Sequence, residues 1–307
     1  MRHAVRIGVD LGGTKIELAA LDAQGRVTHR RRTATPAGSY AATLGAIVEL
    51  VRAVEADLGA RAAVGIATPG ARSLVDGRMK NANSTCLNGQ PLKEDLERAL
   101  GREIRMANDA NCFALSEAID GAGRGARSVF GVIIGTGVGG GIVVDGRVVT
   151  GANAIAGEWG HNPLPLPESA DLPLPHCYCG RLGCIETYLS GPALAADFAK
   201  DSGETCEAAD IARAADGNDP RAERAMQRYE RRLARSLAGV INVLDPEVIV
   251  LGGGLSNIAR LYANVGRLCK EFVFSDDLRT RIVPPAHGDS SGVRGAAWLW
   301  DPNFMER

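Results

Sequence analysis

The sequence predicts an α/β protein made of two related halves, and three observations carry that expectation. Short apolar runs alternate with helical stretches along the chain. A strand, a glycine-rich turn and a returning strand near the start recur about 125 residues later, which suggests an ancient duplication. The 307 residues also exceed what one compact core usually organises.

Taken in order, Ile7-Gly8-Val9-Asp10 reads as a strand, Leu11-Gly12-Gly13-Thr14-Lys15 as a tight turn, residues 16–21 as the returning strand and 26–33 as a third. The spacing of Leu44, Ile47, Val48, Val51, Val54 and Leu58 predicts a helix over 41–58. Residues 63–67 read as a short buried strand, 91–100 as a helix and 103–106 as a strand. Asn108 and Asp109 can each cap the helix that follows to residue 119. The second copy opens near residue 122, so the expected domains are 1–121 and 122–288. In it, 130–134 is a strand, Gly135-Thr136-Gly137-Val138-Gly139-Gly140-Gly141 its turn, and 142–144 the return. A proline-rich stretch, 163–175, reads as an irregular loop, with helices near 192–200 and 208–215. Asp219 as N-cap and Pro220 at the first position start a long helix to residue 244. Residues 248–251 form a strand, Gly252-Gly253-Gly254 turns, Ser256 begins another helix, and 292–300 is a short amphipathic helix.

Apolar residues make up 45% and charged residues 23%, an ordinary globular balance. Thirty-five basic against 36 acidic side chains give a net charge of -1, which argues against a nucleic-acid surface. No apolar run approaches the ~20 residues of a membrane helix, and no secretory pattern opens the chain. Seven cysteines, three of them clustered, fit a reducing cytoplasm better than a disulfide framework.

That cluster is Cys177-x-Cys179-x4-Cys184, with glycines where the chain must bend, and it offers three legs of a tetrahedral zinc site. His176 is a rival for the fourth ligand, but it lies next to Cys177, where adjacent residues ligate together awkwardly, so His161 is favoured. Four protein ligands leave no open position, so the site is expected to be structural. The turns Gly12-Gly13-Thr14-Lys15 and Gly135-Thr136-Gly137 can each present backbone N–H groups and a hydroxyl to phosphate oxygens. The second also matches a dinucleotide pattern on paper, yet it runs into a strand rather than a helix. Asp10 is placed to hold Mg²⁺ beside such phosphates, with Lys15 near them. Gly253 and Gly254 let a flat ring approach the backbone. Asp109 is the best candidate to accept a hydroxyl proton in phosphoryl transfer. Asn83, Asn108, Glu158, His161 and Glu186 supply the convergent donors and acceptors a polyhydroxylated ligand needs.

Asp10-Leu11-Gly12-Gly13-Thr14-Lys15, Asn108-Asp109-Ala110-Asn111, Glu158-Trp159-Gly160-His161 and the cysteine block through Glu186 together resemble the ROK family (repressors, open reading frames and kinases) over essentially the whole chain. The resemblance implies the two-domain actin-like, ribonuclease H-like ATPase fold with an interdomain cleft, and an N-terminal domain completed by a helix in 289–307. It implies ATP as phosphoryl donor, Asp109 as general base, and sugar-gripping roles for Asn108, Glu158, His161 and Glu186. It also implies a homodimer. Within the family the stretches Asn81-Ala82-Asn83-Ser84-Thr85 and 157–165 are similar to bacterial fructokinases that also accept mannose, so fructose 6-phosphate is the expected product. N-acetylglucosamine or glucose is the alternative substrate. Sugar-responsive repressors of the family carry an added DNA-binding domain, for which few residues precede the first strand here.

Overall fold

The computed structural model describes residues 5–300. The chain forms two compact units: one comprises the residues up to Gly125, Gly141–Ala156 and those from Asp289 on, and the other comprises Ala126–Gly140 and Gly157–Gly288.

The first unit is built on a five-stranded sheet in the order β3-β2-β1-β4-β7. Strands β1 (Arg6–Leu11), β2 (Lys15–Leu21) and β3 (Val27–Ala34) form an antiparallel meander. Helix α1 (Tyr40–Leu58) is capped by Ser39, whose side chain accepts from Ala42 N, and it ends on Gly59 at φ 62°. Strand β4 (Ala63–Thr68) returns parallel to β1. A small hairpin, β5 (Ala71–Arg72) with β6 (Met79–Lys80), escapes the sequence reading. Helix α2 (Leu92–Leu100), strand β7 (Arg105–Asn108) and helix α3 (Asp109–Ile119) follow, with β7 parallel to β4. Alternation along β1 sends Ile7, Val9 and Leu11 into one core with Ile47, Val51, Val54, Leu92 and Leu96. Gly8 and Asp10 therefore point to the opposite face.

The second sheet runs β10-β9-β8-β11-β12, made of β8 (Ser128–Ile134), β9 (Val138–Val144), β10 (Arg147–Val148), β11 (Val248–Gly252) and β12 (Arg281–Val283). Its order repeats that of the first, with β11 and β12 parallel where β4 and β7 are. Helices α4 (Glu186–Leu189), α5 (Gly191–Ser202), α6 (Ala208–Asp216), α7 (Pro220–Leu244) and α8 (Arg260–Cys269) complete the unit. α7 has the expected bounds, and Asp219 caps it by accepting from Arg221 N. The proline-rich loop is tied down by Asp171, a buried carboxylate held by Arg232 and Arg235 of α7, each at 2.7 Å.

Three expectations change. Val138 already starts β9, so Gly139-Gly140-Gly141 lie inside a strand rather than in the turn. Two of them are required by packing: a Cβ on Gly140 would meet the Trp159 ring at 2.8 Å, and one on Gly141 would meet Ala110 O at 2.6 Å. After the glycine turn, Gly254–Asn257 forms only a 3-10 turn, and the helix begins at Arg260. The C-terminal helix α9 (Ser291–Trp298) is buried all round rather than amphipathic. It lies on the Gly8 face of the first sheet, where a Cβ on Gly8 would stand 1.9 Å from Val293 O and one on Gly65 1.8 Å from Ala296 O. Its other side meets α3, where a Cβ on Gly295 would stand 1.7 Å from Cys112 O. Residues beyond Trp300 in the expected 289–307 helix lie outside the described residues.

Candidate active site

In the first unit, Asp10 ends the polar face of β1, opposite Glu17 in the β1–β2 register. Burial, reinforced by the charges of Asp109 and Glu17 and opposed by Lys15, pushes its carboxyl up to about 7. The glycine turn beside it is closed by Gly12 N donating to Lys15 O at 3.0 Å and Thr35 Oγ1 donating to Gly12 O at 2.7 Å. Gly13, Thr14 and Lys15 stay exposed at its tip. Lys15 Nζ is 3.9 Å from Glu17, which is buried and bound by Arg30 Nε at 2.6 Å and Arg32 Nε at 2.8 Å.

Asp109 opens α3, directly after Asn108, which is the N-cap: its Oδ1 accepts from Asn111 N at 2.8 Å. The Asp109 carboxylate remains open to solvent yet is closely surrounded, and burial raises its pKa against the pull of the Ala110 N–H, which donates to it at 2.8 Å. Asn83 is exposed in the loop before the Thr85–Leu87 turn. Asn88 fixes that loop with two bonds to Ala82, 2.9 Å from its N and 3.0 Å to its O. The sequence reading does not single out Asn88 for this role, because its bonds reach six residues back to Ala82 rather than to its immediate neighbours.

In the second unit, buried Trp159 anchors a 3-10 turn to β9: its Nε1 donates to Gly139 O at 2.8 Å and its ring meets Phe130 edge-on at 5.6 Å. This places Glu158 before the turn and His161 at its end. A Cβ on Gly160 would lie 2.2 Å from Val138 O, so only glycine allows the approach. The cysteine loop folds back on itself through Cys177 N to Arg181 O at 2.9 Å and Gly180 N to Cys177 O at 3.0 Å, with Gly180 and Gly183 at positive φ. It is joined to the His161 segment by Leu164 N to Gly183 O and Ile185 N to Asn162 O, both 2.8 Å.

The four ligand atoms of His161, Cys177, Cys179 and Cys184 converge within 4.8 Å of one another. Cys177 Sγ is 3.6 Å from His161 Nδ1, and Cys179 Sγ is 3.6 Å from Cys184 Sγ. His176 is outside the group; its backbone bridges Leu182 instead. Burial and the neighbouring thiols push Cys184 up to about 12, while the Arg181 backbone N–H lowers Cys179. The far nitrogen of His161, Nε2, is 3.0 Å from the Tyr178 hydroxyl. Although Tyr178 is largely exposed, partial burial of that hydroxyl and the charges of Glu186, Cys177 and Glu158 push it up to about 12. Tyr178 enters the sequence reading only as the spacer of Cys-x-Cys; an aromatic between two ligand positions is the signal that was there to use.

Glu186, at the start of α4, reaches the second glycine turn, where its Oε2 accepts from Val138 N at 2.8 Å. A Cβ on Gly137 would lie 2.7 Å from that oxygen. The turn is also closed by Gly135 N to Gly137 O at 3.0 Å and tied to α5 by Gly191 N to Gly135 O at 2.7 Å, leaving Thr136 exposed. After β11, Gly253 has φ 80° and so close a contact with Ile134 O (2.4 Å from an added Cβ) that no side chain fits. Gly254 faces open space.

Residues 6–303 match the sequence profile of the ROK family. This chain belongs to the ROK family. Among its ROK relatives, N-acetyl-D-glucosamine kinase of Salmonella paratyphi B is 39% identical over 296 residues, covering 95% of this chain and 98% of that protein. ROK hexokinase from Thermus thermophilus superimposes with a TM-score of 0.84 at 31% identity, over 96% of this chain and 97% of that one. A ROK family glucokinase from Streptomyces griseus, solved with glucose and AMPPNP, gives 0.76 at 29% identity, over 96% and 98%. The fold is thus the two-domain actin-like fold of ROK kinases, and the chain is a ROK family sugar kinase. The relatives named for N-acetylglucosamine favour the alternative substrate over fructose. Among the described residues no helix is long and apolar enough to cross a membrane.

Proposed function

We propose that this ROK kinase transfers the γ-phosphoryl group of ATP to the 6-hydroxyl of N-acetylglucosamine. The observation that carries this reading is the 39% identity over 95% of the chain to an enzyme named for that sugar. Asp109 accepts the hydroxyl proton as the oxygen attacks phosphorus. Its pKa, raised by burial, moves it toward the pH at which it works, which suits a general base. Asn83, Asn108, Glu158, His161 and Glu186 bind the sugar hydroxyls and orient the nucleophile. The turns Gly12-Gly13-Thr14-Lys15 and Gly135-Thr136-Gly137 offer backbone N–H groups and hydroxyls to the phosphates, and Gly253 and Gly254 leave room for the adenine. Asp10 would hold Mg²⁺, which neutralises charge on the phosphates when bound.

His161, Cys177, Cys179 and Cys184 would hold a structural zinc. Zinc–sulfur bonds of roughly 2.3 Å at the tetrahedral angle put two sulfurs about 3.8 Å apart, and a sulfur and a nitrogen about 3.6 Å apart. The separations found, 3.6 Å in both cases, suit such a set. The cation would also relieve the crowding that raises Cys184. A homodimer follows from the family resemblance alone, and a reducing cytoplasm from the free, clustered cysteines.

The test is kcat/KM for N-acetylglucosamine, glucose, mannose and fructose in a coupled ADP assay, with metal content measured on the same protein. A clear preference for N-acetylglucosamine with about one zinc per chain is expected. A preference for fructose would restore the reading of Asn81-Ala82-Asn83-Ser84-Thr85 as a fructokinase signature.

A further inference from the structure

His161 offers two ring nitrogens, and the geometry already spends both. Nδ1 faces Cys177 Sγ at 3.6 Å, and Nε2 faces the Tyr178 hydroxyl at 3.0 Å. With Nδ1 on a metal, Nε2 carries the proton and is the donor left for a sugar oxygen. Tyr178 therefore stands where the sugar must bond. We propose that Tyr178 is a latch on the sugar-binding nitrogen of His161, occupying Nε2 until a sugar hydroxyl displaces it. This rests on the sugar-binding role given to His161 above.

Several features suit displacement rather than permanent support. The two rings meet edge-on, with centroids 5.2 Å apart at 82°, so the contact depends on one torsional setting of the tyrosine. Tyr178 is 80% exposed, so little packing holds it in place. Its backbone cannot follow, because it lies between two of the clustered cysteines and inside the turn closed by Cys177 and Gly180. Rotation about the side-chain bonds is the one cheap motion, and it clears Nε2 without disturbing the cysteines. The hydroxyl also lies in the field of Glu186 and Glu158, the same carboxylates assigned to the sugar. The latch thus holds the imidazole oriented while the site is empty, and costs the incoming sugar one hydrogen bond.

Losing that bond makes sugar binding tighter, which a purely supportive tyrosine does not do. The experiment is a calorimetric titration of zinc-replete protein with N-acetylglucosamine, comparing wild type, Tyr178→Phe and Glu158→Gln. Tyr178→Phe is expected to lower the Kd about 2- to 10-fold, the scale of one net hydrogen bond. KM for the sugar should fall in step, with KM for ATP and the metal content unchanged. An unchanged or raised Kd in Tyr178→Phe, alongside weakened binding in Glu158→Gln, overturns the latch and leaves the sugar reading in place. If Glu158→Gln binds as wild type does, or wild type does not bind N-acetylglucosamine, the sugar reading fails and the latch with it.

Discussion

The bond from Val138 N to Glu186 makes a quantitative demand. Glu186→Ala removes the acceptor of a backbone N–H on a residue only 7% exposed, without offering water an easy route to it. An unsatisfied buried donor of this kind costs about 1–3 kcal/mol. The carboxylate also sits in the first turn of α4, where its charge is worth roughly 0.3–1 kcal/mol against the helix dipole. Glu186→Ala should therefore lose about 1–4 kcal/mol in urea unfolding, read as a fall in the midpoint at constant m. Glu186→Gln keeps an oxygen for Val138 and loses only the charge, so about 1 kcal/mol is expected. Because Val138 closes the second glycine turn, KM for ATP should rise several-fold in the alanine variant and little in the glutamine variant. If the two variants unfold within about 0.5 kcal/mol of each other, the bond does not position the turn.

Asp109→Asn should lower kcat at least ~10²-fold while leaving sugar binding measurable by calorimetry, the scale of a missing general base. The carboxyl of Asp10 titrates near 7 when folded and near its usual 3.8 when unfolded. The folded state thus holds the extra proton, and stability is lost as pH rises. Without Mg²⁺ or nucleotide, the stability of wild type relative to Asp10→Asn should fall by about 2–3 kcal/mol between pH 5 and pH 8, measured by urea unfolding at each pH. Gly65→Ala forces a Cβ to within 1.8 Å of a backbone oxygen, so at least about 3 kcal/mol should be lost. Gly45→Ala, inside α1 with nothing within 4 Å of the added carbon, should gain roughly 0.5–1 kcal/mol by the same measurement.

How much of this was legible in the sequence depended on whether the cause was local. α7 could be read to the residue because Asp219 and Pro220 mark its start and its apolar spacing is regular. The paired hairpins could be read because strand, turn and return lie side by side in the chain. The glycines of β9 could not, since what demands them is Trp159 and α3, both distant in sequence. α9 looked amphipathic because Arg294 interrupts its apolar run; in the fold that guanidinium is buried against Asp120 and Gly25 O, so the polar stripe finds partners inside. The three-residue β12 carries too little pattern to stand out. At the site, residue types and spacing point to Asp10, Asp109, Glu186 and the cysteine group, while the contacts that fix the surroundings, Asn88 on Ala82 and Val138 N on Glu186, emerge only from three-dimensional neighbourhood.

The placement of α9 also bears on how the protein is made. The first sheet is complete once β7 has been synthesised, yet the helix that covers its glycine-lined face is encoded after the whole of Gly157–Gly288. At roughly 5–20 residues per second, a ribosome leaves that face bare for on the order of ten seconds. During this interval the nascent sheet is a surface on which only a helix as slim as Ser291-Gly292-Val293-Arg294-Gly295-Ala296-Ala297 can settle without steric conflict. The same glycines that make the final packing so tight would then act, on the emerging chain, as a filter against premature partners.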